Sequence, residues 1–183
     1  MTQSTPSSSS VPVPVPEPTP APAPLLTLAE VEALARAAHA GQTDKAGRPY
    51  AGHLAAVAEG VRVRGGDAEQ IAAAWLHDAV EDDALSREWL AAAALTERTK
   101  AVVDALTKRA GEEPAAYARR ILATPGARLV KEADLAHNAD PERLAVLAEP
   151  TRSRLTEKYA RMRALLGLGE ERDEGRGEEG GEA

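Results

Sequence analysis

The sequence predicts an all-α fold, arranged as a compact orthogonal bundle of helices. Alanine and leucine dominate the central part of the chain, and valine and isoleucine never alternate with polar residues over the length of a strand. Aromatic residues make up only 3% of the chain and phenylalanine is absent, so aliphatic side chains must form the core. No heptad pattern persists, which argues against a long coiled coil. We therefore expect helices that pack closely through their alanine faces.

Capping signals and helix breakers divide the domain into nine predicted helices. Thr27-Leu28-Ala29-Glu30 is a capping-box sequence that opens the first helix, and Asp67-Ala68-Glu69-Gln70 opens the third. Gly65-Gly66 ends the second helix, Glu113-Pro114 starts the sixth, and Thr151 is predicted to cap the last. The predicted helices cover approximately residues 27–39, 50–64, 67–82, 86–94, 97–109, 113–124, 128–138, 141–148 and 151–166.

The two ends of the chain differ in composition from this helical domain, which we place at residues 27–168. Residues 1–26 are rich in serine, proline and valine, and proline lacks an amide donor and fixes φ, so we expect an extended, disordered tail there. Residues 169–183 are rich in glycine and glutamate and are predicted to form a disordered acidic tail.

Charge and hydropathy exclude several classes of partner. The formal net charge is −7, but most of it lies in the acidic C-terminal tail, which leaves the predicted domain almost neutral. No broad basic face is implied, so we expect no binding to duplex nucleic acid. No apolar run approaches the ~20 residues of a membrane span. Because no lysine or arginine precedes Arg36, the basic start of a secretory signal is missing, and we expect a cytoplasmic protein without a membrane partner.

The third predicted helix carries an unusual group of polar side chains. His77 and Glu81 are four residues apart, as are Asp78 and Asp82, so a continuous helix would crowd all four along one edge. Carboxylates this close repel each other unless a cation lies among them or water solvates them. One interpretation is a metal site, and the other is a solvated acidic helix end with a packed histidine.

His53 and Asp134, on two other predicted helices, favour the metal site. Imidazole and carboxylate together suit a divalent ion of borderline or hard character, and by this chemistry iron, cobalt, nickel and zinc are as acceptable as manganese. The chain contains no cysteine, so a zinc–thiolate site and a cysteine nucleophile are excluded. Of the two remaining histidines, His39 could orient a ligand or end a helix, with the structural role favoured, and His137 is expected to be a packing or helix-end residue.

Five blocks of sequence, at residues 39–42, 45–53, 76–82, 105–108 and 130–138, form one ordered set. Together they resemble the hydrolase domain of the RelA/SpoT family, an HD-type domain, and most closely its small stand-alone members. The order His, His-Asp, Asp is also the ligand order of HD-type metal phosphohydrolases. The blocks occur in the order of the family and together span the predicted domain without its tails.

The resemblance implies a manganese-dependent hydrolase that removes the 3′-pyrophosphate of guanosine tetraphosphate or pentaphosphate. Its substrate would thus be a small phosphorylated nucleotide. Glu81 and Asp82 match the acidic pair that serves the attacking water. Lys45 matches a residue of the substrate loop, and Asn138 matches one beside the ribose and phosphate. The residues that match the metal ligands are His53, His77, Asp78 and Asp134.

Further residues are candidates for the pocket on chemical grounds. Lys131 lies one helical turn before Asp134, where it could offset charge on a departing pyrophosphate. Lys45 and Arg48 could do the same, although both also fit a solvated loop, and for Arg48 that interpretation is favoured. Tyr50 could frame the pocket or fill the core.

Departures from the family pattern leave the substrate open. Asp44 stands where the family has the arginine that packs against guanine, Leu54 replaces a common proline, and Asp83 replaces a threonine. Residues 139–143 replace a Met-Arg-Thr type of run. The sequence therefore also admits a hydrolase of another nucleotide or phosphorylated metabolite, and a non-catalytic helical module that binds a partner through its tails.

A second, synthetase domain is not expected in a chain of this length, and no pattern predicts the oligomeric state.

Overall fold

The computed structural model describes residues 23–169, and this part of the chain forms nine α-helices and no strand, apart from one isolated bridge between Thr43 and Pro49. The all-α prediction is thus confirmed. The helices are α1 (Leu28–Ala38), α2 (Tyr50–Val63), α3 (Ala68–Leu76), α4 (Arg87–Ala92), α5 (Glu97–Leu106), α6 (Pro114–Ala123), α7 (Ala127–Asn138), α8 (Pro141–Ala145) and α9 (Thr151–Leu165).

Local side-chain bonds account for most of the helix starts. The capping boxes predicted at Thr27 and Asp67 are both present, each with its reciprocal side-chain bond from the third helical residue. Pro114 occupies the first turn of α6, where the missing amide proton costs nothing. Thr151 is not a cap, contrary to the prediction: it is the first residue of α9, and the preceding Pro150 provides no side-chain bond.

The third helix is shorter than the sequence predicts. It ends at Leu76 rather than near Asp82, and residues 77–83 form a series of turns. The carbonyl of Ala74 would accept from the Asp78 amide in a continuous helix, and it accepts instead from Nδ1 of His77 at 2.7 Å. Asp83 then has a φ of 55°, in the left-handed region, which is incompatible with a continuing helix. The predicted shared helical edge of residues 77–82 is therefore wrong.

Helix α3 lies at the centre of the fold and packs against α1, α2, α5 and α7. The core is aliphatic, as expected, with buried alanines such as Ala73 and Ala74 allowing close helix approach. Gly60 on α2 shows how close: a Cβ added there would lie 3.2 Å from the Cβ of Ala133 on α7. Helices α2 and α7 are thereby held side by side, next to the end of α3.

Both ends of the described region are attached to the bundle. The amide of Leu26 donates to the carbonyl of Ala94 at 2.8 Å, and Leu168 is buried in the core. The tails predicted at residues 1–26 and 169–183 fall almost entirely outside the described residues, and their disorder stays a prediction. Within the described residues, no helix is both long enough and apolar enough to cross a bilayer.

Candidate functional site

Four side chains predicted as metal ligands meet where α2, α7 and the C-terminal end of α3 come together. The Nε2 atoms of His53 and His77 are 3.3 Å apart. Asp78 Oδ2 lies 3.4 Å from Nε2 of His53 and 2.9 Å from Nε2 of His77. Asp134 Oδ1 lies 3.4 Å and 3.6 Å from the same two nitrogens. The two imidazoles and the Asp134 carboxylate are almost completely buried, at 3%, 1% and 4% exposure.

Each imidazole is oriented by a bond to its other nitrogen. Nδ1 of His77 donates to the carbonyl of Ala74, which directs Nε2 at the cluster. Nδ1 of His53 lies 2.8 Å from Nδ1 of His137, so one of these rings donates to the other. His137 does not join the cluster of donors, and its contact with His53 is consistent with the expected structural role.

The two carboxylates are held by cationic and neutral donors. Lys131 Nζ is 2.7 Å from Asp134 Oδ2, and the amide of Asn138 donates to the other oxygen of Asp134. The hydroxyl of Tyr50 donates to Asp78 Oδ2 at 2.5 Å. Such outer contacts fix the direction in which a ligand points.

These contacts shift the ionisation of the whole cluster. Burial alone would lower the pKa of His77, but the charge of Asp78 and bonds to both carboxylates outweigh it and raise this pKa to about 10. Burial would likewise lower the pKa of His53, but hydrogen bonds to Asp134 and Asp78 outweigh it and raise this pKa. Although burial acts in the other direction, the charge of Lys131 and bonds from the imidazoles hold the pKa of Asp134 well below its usual range. Negative charge at this position is therefore strongly favoured, which is what a cation requires.

The geometry fits a divalent metal ion. His53, His77 and Asp78 each offer a donor atom within 4.8 Å of the others, and Asp134 provides a fourth close to both imidazoles. Two nitrogens and carboxylate oxygens, with no sulfur, form a donor set for a borderline or hard divalent ion.

Glu81 and Asp82 lie beside this cluster, on the turns that follow α3. Glu81 Oε2 accepts from the backbone amide of Lys108 at 2.9 Å, and Asp82 Oδ2 accepts from the side-chain amide of Gln42 at 2.7 Å. Each carboxylate keeps its second oxygen without a protein hydrogen bond among residues 23–169. The helical spacing on which their prediction rested is absent, yet the turns bring both to the same cavity.

Glu81 and Asp82 line a cavity of about 690 Å³. Nine of the ten predicted site residues line it, and the tenth, His77, lies just beneath its surface. Tyr50 lines the cavity and is half-buried, and its ring stacks on that of His39 with 5.2 Å between the centroids. Arg48 is exposed and does not contribute to the lining, as expected.

Several lining residues were not singled out from the sequence. Lys108 lies on the segment that follows α5, and Lys158 lies on α9. Arg143 comes from α8 and pairs with Asp44 at 2.9 Å. Helix α9 had no recognisable motif, so no local signal could have placed Lys158 here. Asp44 and residues 139–143 depart separately from the family pattern in sequence, and only the structure shows that Asp44 pairs with Arg143.

His39 is connected to the site, although the sequence favoured a helix end over a role in orienting site residues. Its Nδ1 lies 2.6 Å from Oε1 of Gln42, whose amide nitrogen donates to Asp82. A buried ring thus fixes the amide that holds a proposed catalytic carboxylate. The signal was the His39-Ala40-Gly41-Gln42 block, in which the glutamine had no assigned role.

Comparison with known proteins agrees with this geometry. The HD domain family matches residues 32–171 of the chain. A protein of Synechocystis sp., described as a probable guanosine-3′,5′-bis(diphosphate) 3′-pyrophosphohydrolase, is 46% identical over 70 residues, which cover 38% of this chain and 9% of that protein. The chain thus spans about a tenth of the length of this relative. Because the family match covers most of the sequence and includes all four clustered donors, the chain belongs to the HD domain family.

Proposed function

We propose that the protein is a metal-dependent phosphohydrolase that removes the 3′-pyrophosphate from guanosine tetraphosphate or pentaphosphate, with Mn²⁺ as the preferred ion. The observation that carries the proposal is the convergence of four metal donors and two further carboxylates on one nucleotide-sized cavity. The partial similarity to a probable hydrolase of this nucleotide supports the choice of substrate.

In this proposal His53, His77, Asp78 and Asp134 hold the ion. A bound divalent ion would supply positive charge at the phosphoryl oxygens and lower the pKa of a nearby water. Tyr50, through Asp78, and Asn138, through Asp134, keep two of the ligands in place. The same two residues line the cavity, so they also lie within reach of a substrate.

Glu81 and Asp82 act on the water. Each has one oxygen fixed by a protein donor and the other available to accept a proton or to align the water with the phosphorus atom. Lys131 stabilises the charge that develops on the departing pyrophosphate, and Lys45 contacts the substrate from the loop of residues 41–49. His39 and Gln42 position Asp82 and need not touch the substrate.

The proposal is tested by incubating the purified protein with guanosine tetraphosphate and measuring pyrophosphate release with Mn²⁺, Mg²⁺, Zn²⁺ or EDTA. We expect release with Mn²⁺ and none with EDTA. Absence of release with every ion, from protein shown to bind Mn²⁺, would contradict the proposed substrate.

A hydrolase of another phosphorylated nucleotide or metabolite is the second candidate, and the Asp44–Arg143 pair favours it. Asp44 occupies the position of the family's base-stacking arginine, and its carboxylate is committed to Arg143 and to two amides of its own loop. Guanine would therefore need a different contact here. A panel of purine and pyrimidine 3′-phosphorylated nucleotides distinguishes the two candidates by the ratio of their kcat/KM values.

A further inference from the structure

Two side chains of α6 bind the C-terminal end of α5. The last carbonyl groups of a helix have no partner within the helix, and here four of them in succession accept hydrogen bonds from α6. Arg120 donates to three of them, at 2.7, 2.9 and 3.1 Å, and the hydroxyl of Tyr117 donates to that of Leu106 at 2.6 Å. We call these two side chains the α6 clamp. The carbonyls that Arg120 binds belong to Asp104, Ala105 and Thr107.

The contact between Arg120 and Asp104 replaces a helical hydrogen bond. In a continuing helix the carbonyl of Asp104 would accept from the amide of Lys108, four residues further on. Arg120 donates to that carbonyl instead, and the Lys108 amide donates to Oε2 of Glu81 at 2.9 Å. The two groups of the interrupted bond therefore have separate partners, one on α6 and one among the proposed catalytic residues.

The α6 clamp is itself held firmly. Tyr117 is 4% exposed, and Nε and Nη2 of Arg120 also donate to the carboxylate of Glu112, which fixes the plane of the guanidinium. The two clamp residues are three apart, so they lie on the same face of α6. Arg120 does not line the cavity, and it therefore affects the reaction only through the residues that it contacts.

We propose that the α6 clamp positions Glu81 for the reaction, by holding the end of α5 so that the amide of Lys108 meets one oxygen of the Glu81 carboxylate. The inference rests on the proposed function, in which Glu81 acts on the attacking water. Tyr117 and Arg120 are thus positioning residues that act through Glu81. Their effect on rate is expected to be large for their distance, because a shift of about 1 Å in a reacting group can lower the rate about 100-fold.

Two substitutions test the clamp separately. Arg120→Gln removes three bonds to α5, whereas Tyr117→Phe removes only the hydroxyl and keeps the buried ring. With guanosine tetraphosphate and Mn²⁺, each should lower kcat about tenfold through misplacement of Glu81. KM and the affinity for Mn²⁺ should stay within about twofold of the wild type, because the metal donors keep their contacts.

Arg119→Gln is the matched control for Arg120→Gln. It removes the same charge from the neighbouring residue of α6, where the side chain is exposed and makes no hydrogen bond to α5, so kcat should not change.

A double-mutant cycle separates positioning from a general loss of stability. In a Glu81→Gln protein the group to be positioned is gone, so adding Arg120→Gln should lower kcat by less than about twofold. A full tenfold loss in that background would overturn the proposal and leave the clamp with a purely structural role.

Hydrogen exchange of the Lys108 amide, followed by NMR, tests the clamp without a substrate. In Arg120→Gln and Tyr117→Phe this amide should exchange at least about tenfold faster than in the wild type, while the amide of Ala73 in α3 keeps its rate. Unchanged exchange at Lys108 in both variants would overturn the proposal. Faster exchange in a protein that releases no pyrophosphate from guanosine tetraphosphate would retain the hold of the clamp on Glu81 and exclude the proposed reaction.

Discussion

Both ring nitrogens of His77 make contacts. Nδ1 donates to the Ala74 carbonyl of α3, and Nε2 lies against Asp78 in the cluster of donors. We predict that His77→Ala abolishes Mn²⁺-dependent hydrolysis and weakens Mn²⁺ binding by at least about tenfold, because one buried donor is lost. Activity assays and metal analysis after gel filtration test this. A His77→Ala protein that keeps one equivalent of ion and full turnover would exclude His77 as a ligand.

Glu81 is predicted to act on the water rather than on the metal. Glu81→Gln retains an oxygen to accept from the amide of Lys108 but cannot take up a proton, so turnover should fall roughly 10²–10⁴-fold while the ion stays bound. Single-turnover kinetics and metal analysis of the same sample measure both effects. Asp83→Asn is the matched control, since Asp83 is close in sequence but does not line the cavity. Wild-type turnover in Glu81→Gln would remove its proposed role.

The raised pKa values of His77 and His53 predict that metal binding depends on pH. In the metal-free protein, carboxylate charge overcomes burial and raises the pKa of His77 to about 10, and the pKa of His53 is raised as well. A raised pKa means that the proton is held at pH 7 and must leave before the ring can bind a metal. The apparent affinity for Mn²⁺ should therefore increase with pH, by about tenfold per unit for each proton displaced.

Calorimetric titration between pH 6.5 and 8.5, in two buffers of different ionisation enthalpy, measures both the affinity and the number of protons released. Affinity that is constant across this range would show that both rings are neutral before the metal binds.

At the scale of secondary-structure elements, the sequence predicts the helices well where local chemistry decides them. Thr27 and Asp67 are examples, because a capping box needs only residues within one turn. The end of α3 was predicted six residues too late, since alanine and acidic residues after His77 are compatible with a helix. The His77 ring donates to the Ala74 carbonyl where the helix ends, and no propensity encodes that bond.

The loop of residues 41–49 offers a test at this scale. Asp44 Oδ1 accepts from the amides of Ala46 and Arg48, and Oδ2 binds Arg143. Asp44→Ala should lower the free energy of unfolding by about 2–3 kcal/mol, because it leaves two amides and a guanidinium without partners. Asp44→Asn keeps an acceptor for the amides and loses only the charge, so it should cost about 1 kcal/mol.

Urea unfolding of the two variants beside the wild type gives these differences. Equal costs for both would indicate that the ion pair, and not the turn, holds the loop. A cost below about 0.5 kcal/mol for Asp44→Ala would show that the loop is not anchored through this residue.

For the whole molecule, the metal donors illustrate what a sequence can and cannot predict. His53, His77 and Asp134 are far apart in the chain, and no spacing rule brings them together; their grouping came from resemblance to a family. The structure brings them within 3.6 Å through the packing of α2 and α7, where Gly60 permits the close approach of Ala133. The part played by α9 in the cavity had neither a motif nor a resemblance behind it.

A ligand held by three parts of the fold should stabilise the entire domain. If Mn²⁺ binds only the folded state, an ion concentration about 100 times the Kd adds about 2.7 kcal/mol to the free energy of unfolding. For a domain of this size that corresponds to an increase in Tm of roughly 5–10 °C. Thermal unfolding followed by circular dichroism, with Mn²⁺ or with EDTA, measures the difference.

Asp134→Asn and His77→Ala should each lose most of the increase, whereas Asp83→Asn should keep it, because Asp83 lies outside the cluster of donors. An equal increase in Tm in the wild type and the three variants would mean that Mn²⁺ binds at another site. The contacts among α2, α3 and α7 would then stabilise the fold without forming a metal site.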